Sequence, residues 1–285
     1  MEALYTDTNQ KVARYYSRLR TRLGYLIVLG GAKHMGYYPN GTADISEREA
    51  QLHMQDMIAR KLELHEKQLV LEAGCGEGAV STYLARKYGA HIVGITITPF
   101  EIKSAQARAK RLGVSNKVEY KFMDYSATGF PDNYFDSIYT SETLSHSPDI
   151  LKTLGEFYRI LKPGGTIALF EYTIAPDEQF THDEKNWLDF NIEHAALFGL
   201  KSFRHDFFPA LIRQTGFVEE KELNISAQVL PSVYRLHKIA RFVYPLVQLF
   251  GAKQFINTFA AYHWFTYIKN GLFRYCIFTA RKPFR

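Results

Sequence analysis

Short apolar runs, each ending in a turn and followed by a helical stretch, repeat along the chain from about residue 68 to residue 173. The runs cover residues 69–71, 91–96, 118–122, 135–139 and 166–172, and helical periodicity separates them, as in residues 99–112. Strands that alternate with helices are typical of a parallel sheet covered by helices. This alternation constrains the fold more than any other feature of the sequence, and it predicts an α/β class.

The C-terminal third adds a helix over 207–214 and strands over 218–225 and 272–282, which makes a seven-stranded, mostly parallel sheet. Two aromatic-rich segments, roughly 174–204 and 226–270, interrupt it and are too long for simple connections, so they are either lids or binding elements. Pro245 should kink or divide the helix of the second lid. The predicted units are an N-terminal helical cap over 1–45, a core over 46–173, a lid over 174–204, a core helix and strand over 205–225, a helical substrate lid over 226–270 and a last strand over 271–285.

Composition narrows the classes of function. Two cysteines cannot make a disulfide framework and no signal peptide is visible, so we expect a reducing, cytoplasmic location. The longest apolar stretch is too short to span a membrane. A net charge of +6 suits nucleic acid or an anionic membrane surface, but most of the excess is scattered, which favours a solvated surface. The 15% of aromatic residues makes an apolar or aromatic ligand plausible.

A glycine-rich turn follows the first predicted strand in the segment Val70 to Gly78. Glu72 lies on the strand, and Gly74, Cys75, Gly76 and Gly78 form the turn before a helix. Glycines let the backbone pass close to a ligand, and the helix N-terminus adds hydrogen-bond donors. The spacing is not that of a dinucleotide-binding turn, because Ala79 stands where the third glycine would be.

This turn resembles the first motif of the class I S-adenosylmethionine-dependent methyltransferases, a Rossmann-like family. In that family the carboxylate on the first strand, here Glu72, faces the amino acid part of the cofactor. A second carboxylate, after the third strand, lies within reach of the adenine amine, which points to Asp124 and its neighbour Tyr125. The resemblance therefore implies S-adenosyl-L-methionine as the cofactor.

The sequence Gly94-Ile95-Thr96 resembles the tocopherol methyltransferases and, more distantly, the sterol side-chain and cyclopropane-forming methyltransferases. Many class I enzymes carry a ribose-binding acid at this strand end, whereas here Thr96 or Thr98 would offer hydroxyl groups. A Gln usually follows in these relatives, and Glu101 occupies that place, which keeps an acceptor and loses an amide donor.

The segment after the fourth strand, from Ser141 to Asp149, resembles the part of these enzymes that carries a Glu and a His four residues apart. Here the pair is Glu142 and His146, which should lie at the carboxyl edge of the sheet, where ligands bind α/β folds. Tyr15 and Tyr16 resemble the opening segment that covers the cofactor. The sequence thus predicts Glu142 and His146 as catalytic residues, and Tyr15, Tyr16 and Ser141 as further cofactor contacts.

The methyl donor is an activated sulfonium, so the protein must align the acceptor, exclude water and manage one proton. His146 would serve as base for an oxygen or nitrogen acceptor, and Glu142 would stabilise a carbocation formed from an alkene. No metal-binding motif is visible. We expect a lipophilic small-molecule substrate and no nucleic acid partner. An RNA or protein methyltransferase and a non-catalytic membrane-docking protein are the alternatives, and the acceptor, the methylated atom, membrane contact and the oligomeric state stay open.

Overall fold

A computed structural model describes residues 6–284, without the side chains at positions 19, 20, 23 and 27. Its centre is a seven-stranded sheet in the order β3-β2-β1-β4-β5-β7-β6. The first five strands pair in parallel, and β7 lies antiparallel between β5 and β6. The strands are β1 (Leu69–Ala73), β2 (His91–Thr96), β3 (Val118–Phe122), β4 (Phe135–Ser141), β5 (Leu161–Ile174), β6 (Val218–Asn224) and β7 (Phe273–Arg281).

Helices cover both faces of this sheet, so the predicted α/β class with a mostly parallel sheet is confirmed. Local signals define their ends: α5 begins at a proline in its first turn and ends before Gly113, which adopts a left-handed φ of 69°. The helices are α1 (Asp7–Ser17), α2 (Leu19–Leu29), α3 (Glu47–Lys61), α4 (Ala79–Tyr88), α5 (Pro99–Leu112), α6 (Ile150–Ile160), α7 (His182–His194), α8 (Phe208–Gln214), α9 (Ser226–Phe250) and α10 (Ile256–Lys269).

The strand order reverses direction between β1 and β4, which are hydrogen-bonded neighbours. Connections leave these two strands toward opposite sides of the sheet, so a crevice opens at their carboxyl ends. Residues 72–78 follow β1 and residues 141–146 follow β4, and the topology therefore places the two predicted motifs on the two sides of one crevice.

The second predicted lid is a hairpin of α9 and α10. We expected Pro245 to kink or divide its first helix, and the structure shows that it does not divide it, because α9 runs from Ser226 to Phe250 and contains both Pro231 and Pro245. A proline removes one backbone hydrogen bond of a helix, and α10 packs along α9. Within the described residues, no helix is long and apolar enough to cross a membrane.

Candidate active site

A cleft of about 890 Å³ occupies the crevice at the carboxyl ends of β1, β2 and β4. It brings together thirteen of the fourteen residues that the sequence suggested for cofactor binding or catalysis. Tyr15 is the exception. The thirteen are Tyr16, Glu72, Gly74, Cys75, Gly76, Thr96, Thr98, Glu101, Asp124, Tyr125, Ser141, Glu142 and His146.

The glycine turn is held against β2 and against the opposite wall of the cleft. The N–H groups of Gly74 and Cys75 both donate to the carbonyl of Ile95, each at 2.9 Å. Gly74 has a φ of 88°, and a Cβ there would lie 2.2 Å from the Thr143 side chain. At Gly76 a Cβ would meet no atom closer than 3.7 Å. Gly74 is therefore required for packing between the two motifs, whereas Gly76 leaves space on the cleft side.

Two buried oxygens that line the cleft lack a hydrogen-bond partner among the described residues, namely Glu72 Oε2 and Ser141 Oγ. Burial raises the pKa of the Glu72 carboxyl to about 7. Buried polar groups normally find a partner, so these two oxygens fit a ligand that brings hydrogen-bond donors or positive charge. The ammonium group of S-adenosylmethionine has both properties.

Asp124 lies at the other end of the cleft and is contacted by the N-terminal cap. Asn9 of α1 donates through Nδ2 to Asp124 Oδ2 at 2.7 Å, and the Ser126 N–H donates to Oδ1 at 2.7 Å. The neighbouring Tyr125 hydroxyl donates to the carbonyl of Thr143 at 3.1 Å. A carboxylate oxygen can accept more than one hydrogen bond, so Asp124 could also accept one from an adenine amine.

Glu101 is 3% exposed and is held from two sides. The Thr96 hydroxyl donates to its Oε2 at 2.7 Å, and Lys33 Nζ donates to its Oε1 at 2.5 Å. Thr98 contributes its N–H to Thr96 Oγ1 at 3.2 Å. Lys33 thus balances the charge of the buried Glu101 carboxylate.

A second cavity, of about 1140 Å³, adjoins the cleft. Tyr16, Lys33, Glu142 and His146 line both cavities and form their common wall. The rest of the second cavity is mainly apolar and aromatic, with contributions from α2, α9 and α10 and from the residues after α7. These include Tyr25, Met35, Tyr172, Leu197, Leu236, Ile239, Val243 and Trp264.

Tyr15 lines the second cavity rather than the cofactor cleft. Its hydroxyl donates to Asn257 Oδ1 of α10. Tyr16, the next residue of α1, lines both cavities, so of these two tyrosines only Tyr16 reaches the cofactor cleft. We therefore reassign Tyr15 from the cofactor contacts to the second cavity.

Tyr16 and His146 form a hydrogen-bonded pair in the common wall. The Tyr16 hydroxyl lies 2.8 Å from His146 Nε2, and His146 Nδ1 lies 2.8 Å from the carbonyl of Ala196. Burial lowers the pKa of His146 to about 4, so the ring is neutral near pH 7. A carbonyl can only accept, which means that Nδ1 carries the proton and Nε2 accepts from Tyr16.

Glu142 begins the segment after β4 and has a φ of 55°, a left-handed conformation that costs energy in a residue with a side chain. Its Oε1 accepts from the Met35 N–H at 2.8 Å and from the Tyr275 hydroxyl at 3.1 Å. Burial raises the pKa of this carboxyl to about 8. Strain of this kind persists where surrounding contacts enforce it, and it concentrates at functional sites.

Glu171 of β5 binds the backbone of the segment that follows β4. Its Oε1 accepts from the N–H groups of Thr143 at 3.1 Å and Leu144 at 3.0 Å. Sequence reasoning missed Glu171 and also missed Asn9, Lys33 and Tyr275. A glutamate within the apolar run of β5 was a signal for the first of them, since a carboxylate inside a central strand needs buried partners.

Comparison with known proteins agrees with this geometry. A family model described as a methyltransferase domain matches residues 71–169. The S-adenosyl-L-methionine-dependent Diels-Alderase iccD of Talaromyces variabilis is 30% identical over 283 residues, which are 95% of this chain and 94% of that protein. A sterol 24-C-methyltransferase of Eremothecium gossypii is 28% identical over 67% of this chain, and the match spans half of that protein.

Among solved structures, that of the [4+2]-cyclase SpnF superposes with a TM-score of 0.78 and 25% identity, over 96% of this chain and 97% of the other. That structure therefore shares the fold over nearly the whole length of this chain. From this match over nearly the full length, together with the methyltransferase domain over the sheet, it follows that the chain belongs to the class I S-adenosylmethionine-dependent methyltransferases and uses S-adenosylmethionine as its cofactor.

Proposed function

We propose that this protein transfers a methyl group to a lipophilic small molecule enclosed in the second cavity. The observation that carries the proposal is the common wall, where Tyr16, Lys33, Glu142 and His146 separate a polar cleft from a mainly apolar cavity. The mainly apolar and aromatic lining of this cavity suits a sterol, a terpenoid or a prenylated or aromatic natural product. The cap and the two lids predicted from the sequence would enclose this acceptor and exclude water.

In this proposal, different residues of the cleft bind different parts of the cofactor. Glu72 and Ser141 would hold the amino acid part, since their free buried oxygens suit an ammonium group. Glu101 and the two threonines would hold the ribose, and Asp124 the adenine. When bound, S-adenosylmethionine supplies an electrophilic methyl group, so the residues of the common wall have to orient the acceptor and move a proton.

For an oxygen or nitrogen acceptor, the Tyr16–His146 pair is the proposed base. Tyr16 would take the acceptor proton on its phenolic oxygen while it passes its own proton to His146 Nε2. The charge would then lie on an imidazolium whose Nδ1–H is already bound to the Ala196 carbonyl. Two neutral groups thus accept one proton without any movement of charge through water.

For an alkene acceptor, Glu142 is the proposed catalytic group. Its buried carboxyl lines both cavities, and when ionised it would stabilise a carbocation in a site of low dielectric constant. The name of the sterol methyltransferase relative supports a carbon acceptor, whereas the geometry of the Tyr16–His146 pair supports a heteroatom acceptor. The proposal therefore includes both a heteroatom acceptor and an alkene acceptor.

A second candidate function is cyclisation of a polyene without methyl transfer. It is favoured by the Diels-Alderase and the [4+2]-cyclase, each of which matches more than nine-tenths of this chain. In that case the cofactor would stay intact, and the apolar cavity would fold the substrate. An RNA or protein acceptor is less compatible with a cavity roofed by helices, and the intact cleft argues against a non-catalytic docking protein.

The proposal is tested by cofactor calorimetry followed by incubation with sterol, prenyl-quinol, phenol and alkaloid pools. We expect S-adenosylhomocysteine to accumulate only with an apolar pool. Cofactor binding without S-adenosylhomocysteine from any pool, together with an isomerised polyene, would favour cyclisation. Failure to bind the cofactor in a folded protein would contradict both candidates.

A further inference from the structure

We propose that the hairpin of α9 and α10 docks this protein on an anionic phospholipid surface, with an apolar stripe of α9 inserted among the lipids. Docking itself does not depend on the proposed function. The further step, that the acceptor enters its cavity from the bilayer, rests on that function.

The apolar stripe consists of Phe242, Leu246, Leu249 and Phe250, whose side chains are 85%, 54%, 75% and 59% exposed. Their spacing of three, four and seven residues places them on one side of α9, next to Ile239 and Val243. Proteins seldom expose large contiguous apolar patches unless something covers them. A helix with such a stripe fits the headgroup region of a membrane.

The charge of the hairpin identifies the surface that covers it. Residues 226–269 contain five Lys or Arg and no Asp or Glu, so the hairpin contributes +5 to a net charge of +6. Lys238, Arg241 and Lys253 are exposed, and none forms an ion pair with another described residue. Arg235 pairs with Glu47, whereas the three exposed cations lie within four residues of the apolar stripe in the sequence.

The positive charge of the hairpin distinguishes between two partners that could cover the stripe, a second copy of this chain and a lipid surface. In a symmetric dimer, a second copy would bring the same basic hairpin against this one, and the like charges would repel. A leaflet that contains anionic lipid would instead attract the basic side chains while the stripe inserts. The observations therefore favour a lipid surface.

The stripe also borders the second cavity. Ile239 and Val243 line that cavity and are 44% and 40% exposed, so they lie at its rim. A lipophilic molecule that leaves the bilayer beside α9 would reach the cavity without crossing water. The docking surface and the acceptor site are thus continuous along one helix.

The test is flotation of the full chain with two kinds of vesicle, phosphatidylcholine alone and phosphatidylcholine with phosphatidylserine. We expect binding to the anionic vesicles. Binding to the neutral vesicles should be at least about tenfold weaker. Two double variants should each weaken binding about tenfold or more. One combines Phe242→Ser with Leu249→Ser, and the other combines Lys238→Gln with Arg241→Gln. Phe284→Ser and Lys110→Gln, which remove an exposed aromatic and an exposed cation outside the hairpin, should leave it unchanged.

Circular dichroism and cofactor calorimetry establish that each variant is folded. The proposal is overturned if the folded wild type binds neither vesicle, or if the hairpin variants bind as well as the controls. It is also overturned if the wild type is a dimer in sedimentation velocity and the Phe242 and Leu249 changes abolish that dimer. No acceptor is present in these assays, so their outcome is independent of whether methyl transfer is correct.

Discussion

Lys33 donates a hydrogen bond to Glu101 across the mouth of the cleft, and it does so at 2.5 Å with both side chains largely buried. Lys33 comes from the segment after α2, whereas Glu101 lies in the first turn of α5, so this ion pair joins the N-terminal cap to the core. The rings of Tyr16, Tyr25 and Phe100 surround the ammonium group at 5.2, 5.9 and 5.6 Å. The pair is therefore a charged contact between the cap and the core beside the cofactor cleft.

The first prediction concerns this pair. Lys33→Met leaves a buried carboxylate without its cation, which is strongly unfavourable, and we expect affinity for S-adenosylhomocysteine to fall about tenfold or more. Adding Glu101→Gln removes the stranded charge and restores the family's amide, so the double variant should recover most of the affinity. Calorimetry measures both. If the double variant binds more weakly than Lys33→Met, the pair does not have the compensating role assigned to it.

The second prediction concerns the Tyr16–His146 pair. With a heteroatom acceptor, Tyr16→Phe or His146→Ala should lower turnover by roughly 10²–10⁴-fold while cofactor affinity changes little. Because burial lowers the pKa of His146 to about 4, the base is neutral at higher pH, and the rate should decline only as the pH approaches that value. A histidine limb near pH 6.5 would contradict this assignment of the buried ring.

The third prediction concerns Glu142 and the pH dependence of stability. Burial raises the pKa of Glu142 to about 8, above the value for an unfolded glutamate, so between these values the folded state binds more protons than the unfolded state. The free energy of unfolding should therefore decline as the pH rises from about 5 to 8, by up to about 1.4 kcal/mol per pH unit for this group.

Glu142→Gln should make that decline shallower, because a glutamine does not titrate, while Glu72 and Glu171, whose pKa values burial also raises to about 7, still contribute to it. The measurement is denaturant unfolding at a series of pH values without cofactor, and Glu49→Gln on the exposed first turn of α3 is the matched control. An unchanged pH profile in Glu142→Gln would show that this carboxyl is not held protonated. With an alkene acceptor the same change should also reduce turnover more than His146→Ala does.

The fourth prediction compares two glycines of the same turn. A methyl group at Gly74 would lie 2.2 Å from the Thr143 side chain, so Gly74→Ala should lower stability and disturb the segment that carries Glu142. At Gly76, which has a left-handed φ of 49°, a methyl group meets no atom closer than 3.7 Å, so Gly76→Ala should lower stability only by the backbone strain, about 1 kcal/mol, and should lose cofactor affinity. Thermal unfolding and calorimetry separate the two effects. Equal loss of stability in both variants would contradict this division of roles.

The sequence predicted the central sheet closely because local signals define it. The observed bounds of β2, α5 and β3 are those expected from apolar periodicity, Pro99 and Gly113. The sequence did not indicate that α9 continues through Pro245 as one helix, nor that α10 packs against it. Periodicity along the chain contains no information on such a contact.

The candidate site was also only partly predictable from the sequence. The residues that follow β1, β3 and β4 were predictable because parallel strands end at one edge. Other residues of the site were not predictable, since each contacts a partner that lies far away in the sequence. These pairs are Lys33 with Glu101, Asn9 with Asp124, and Glu171 with Thr143. Tyr15 lines the second cavity and not the cleft, whereas Tyr16 lines both, and two adjacent tyrosines in the sequence do not reveal that difference.

The fate of the methyl group tests the central claim most directly. The protein would be incubated with S-adenosylmethionine that carries a deuterated methyl group and with the lipophilic pool that gives turnover, and the products would be followed by mass spectrometry. Our account predicts one labelled methyl group in the product for each S-adenosylhomocysteine formed. A product that contains no label, formed while S-adenosylmethionine remains intact, would contradict methyl transfer.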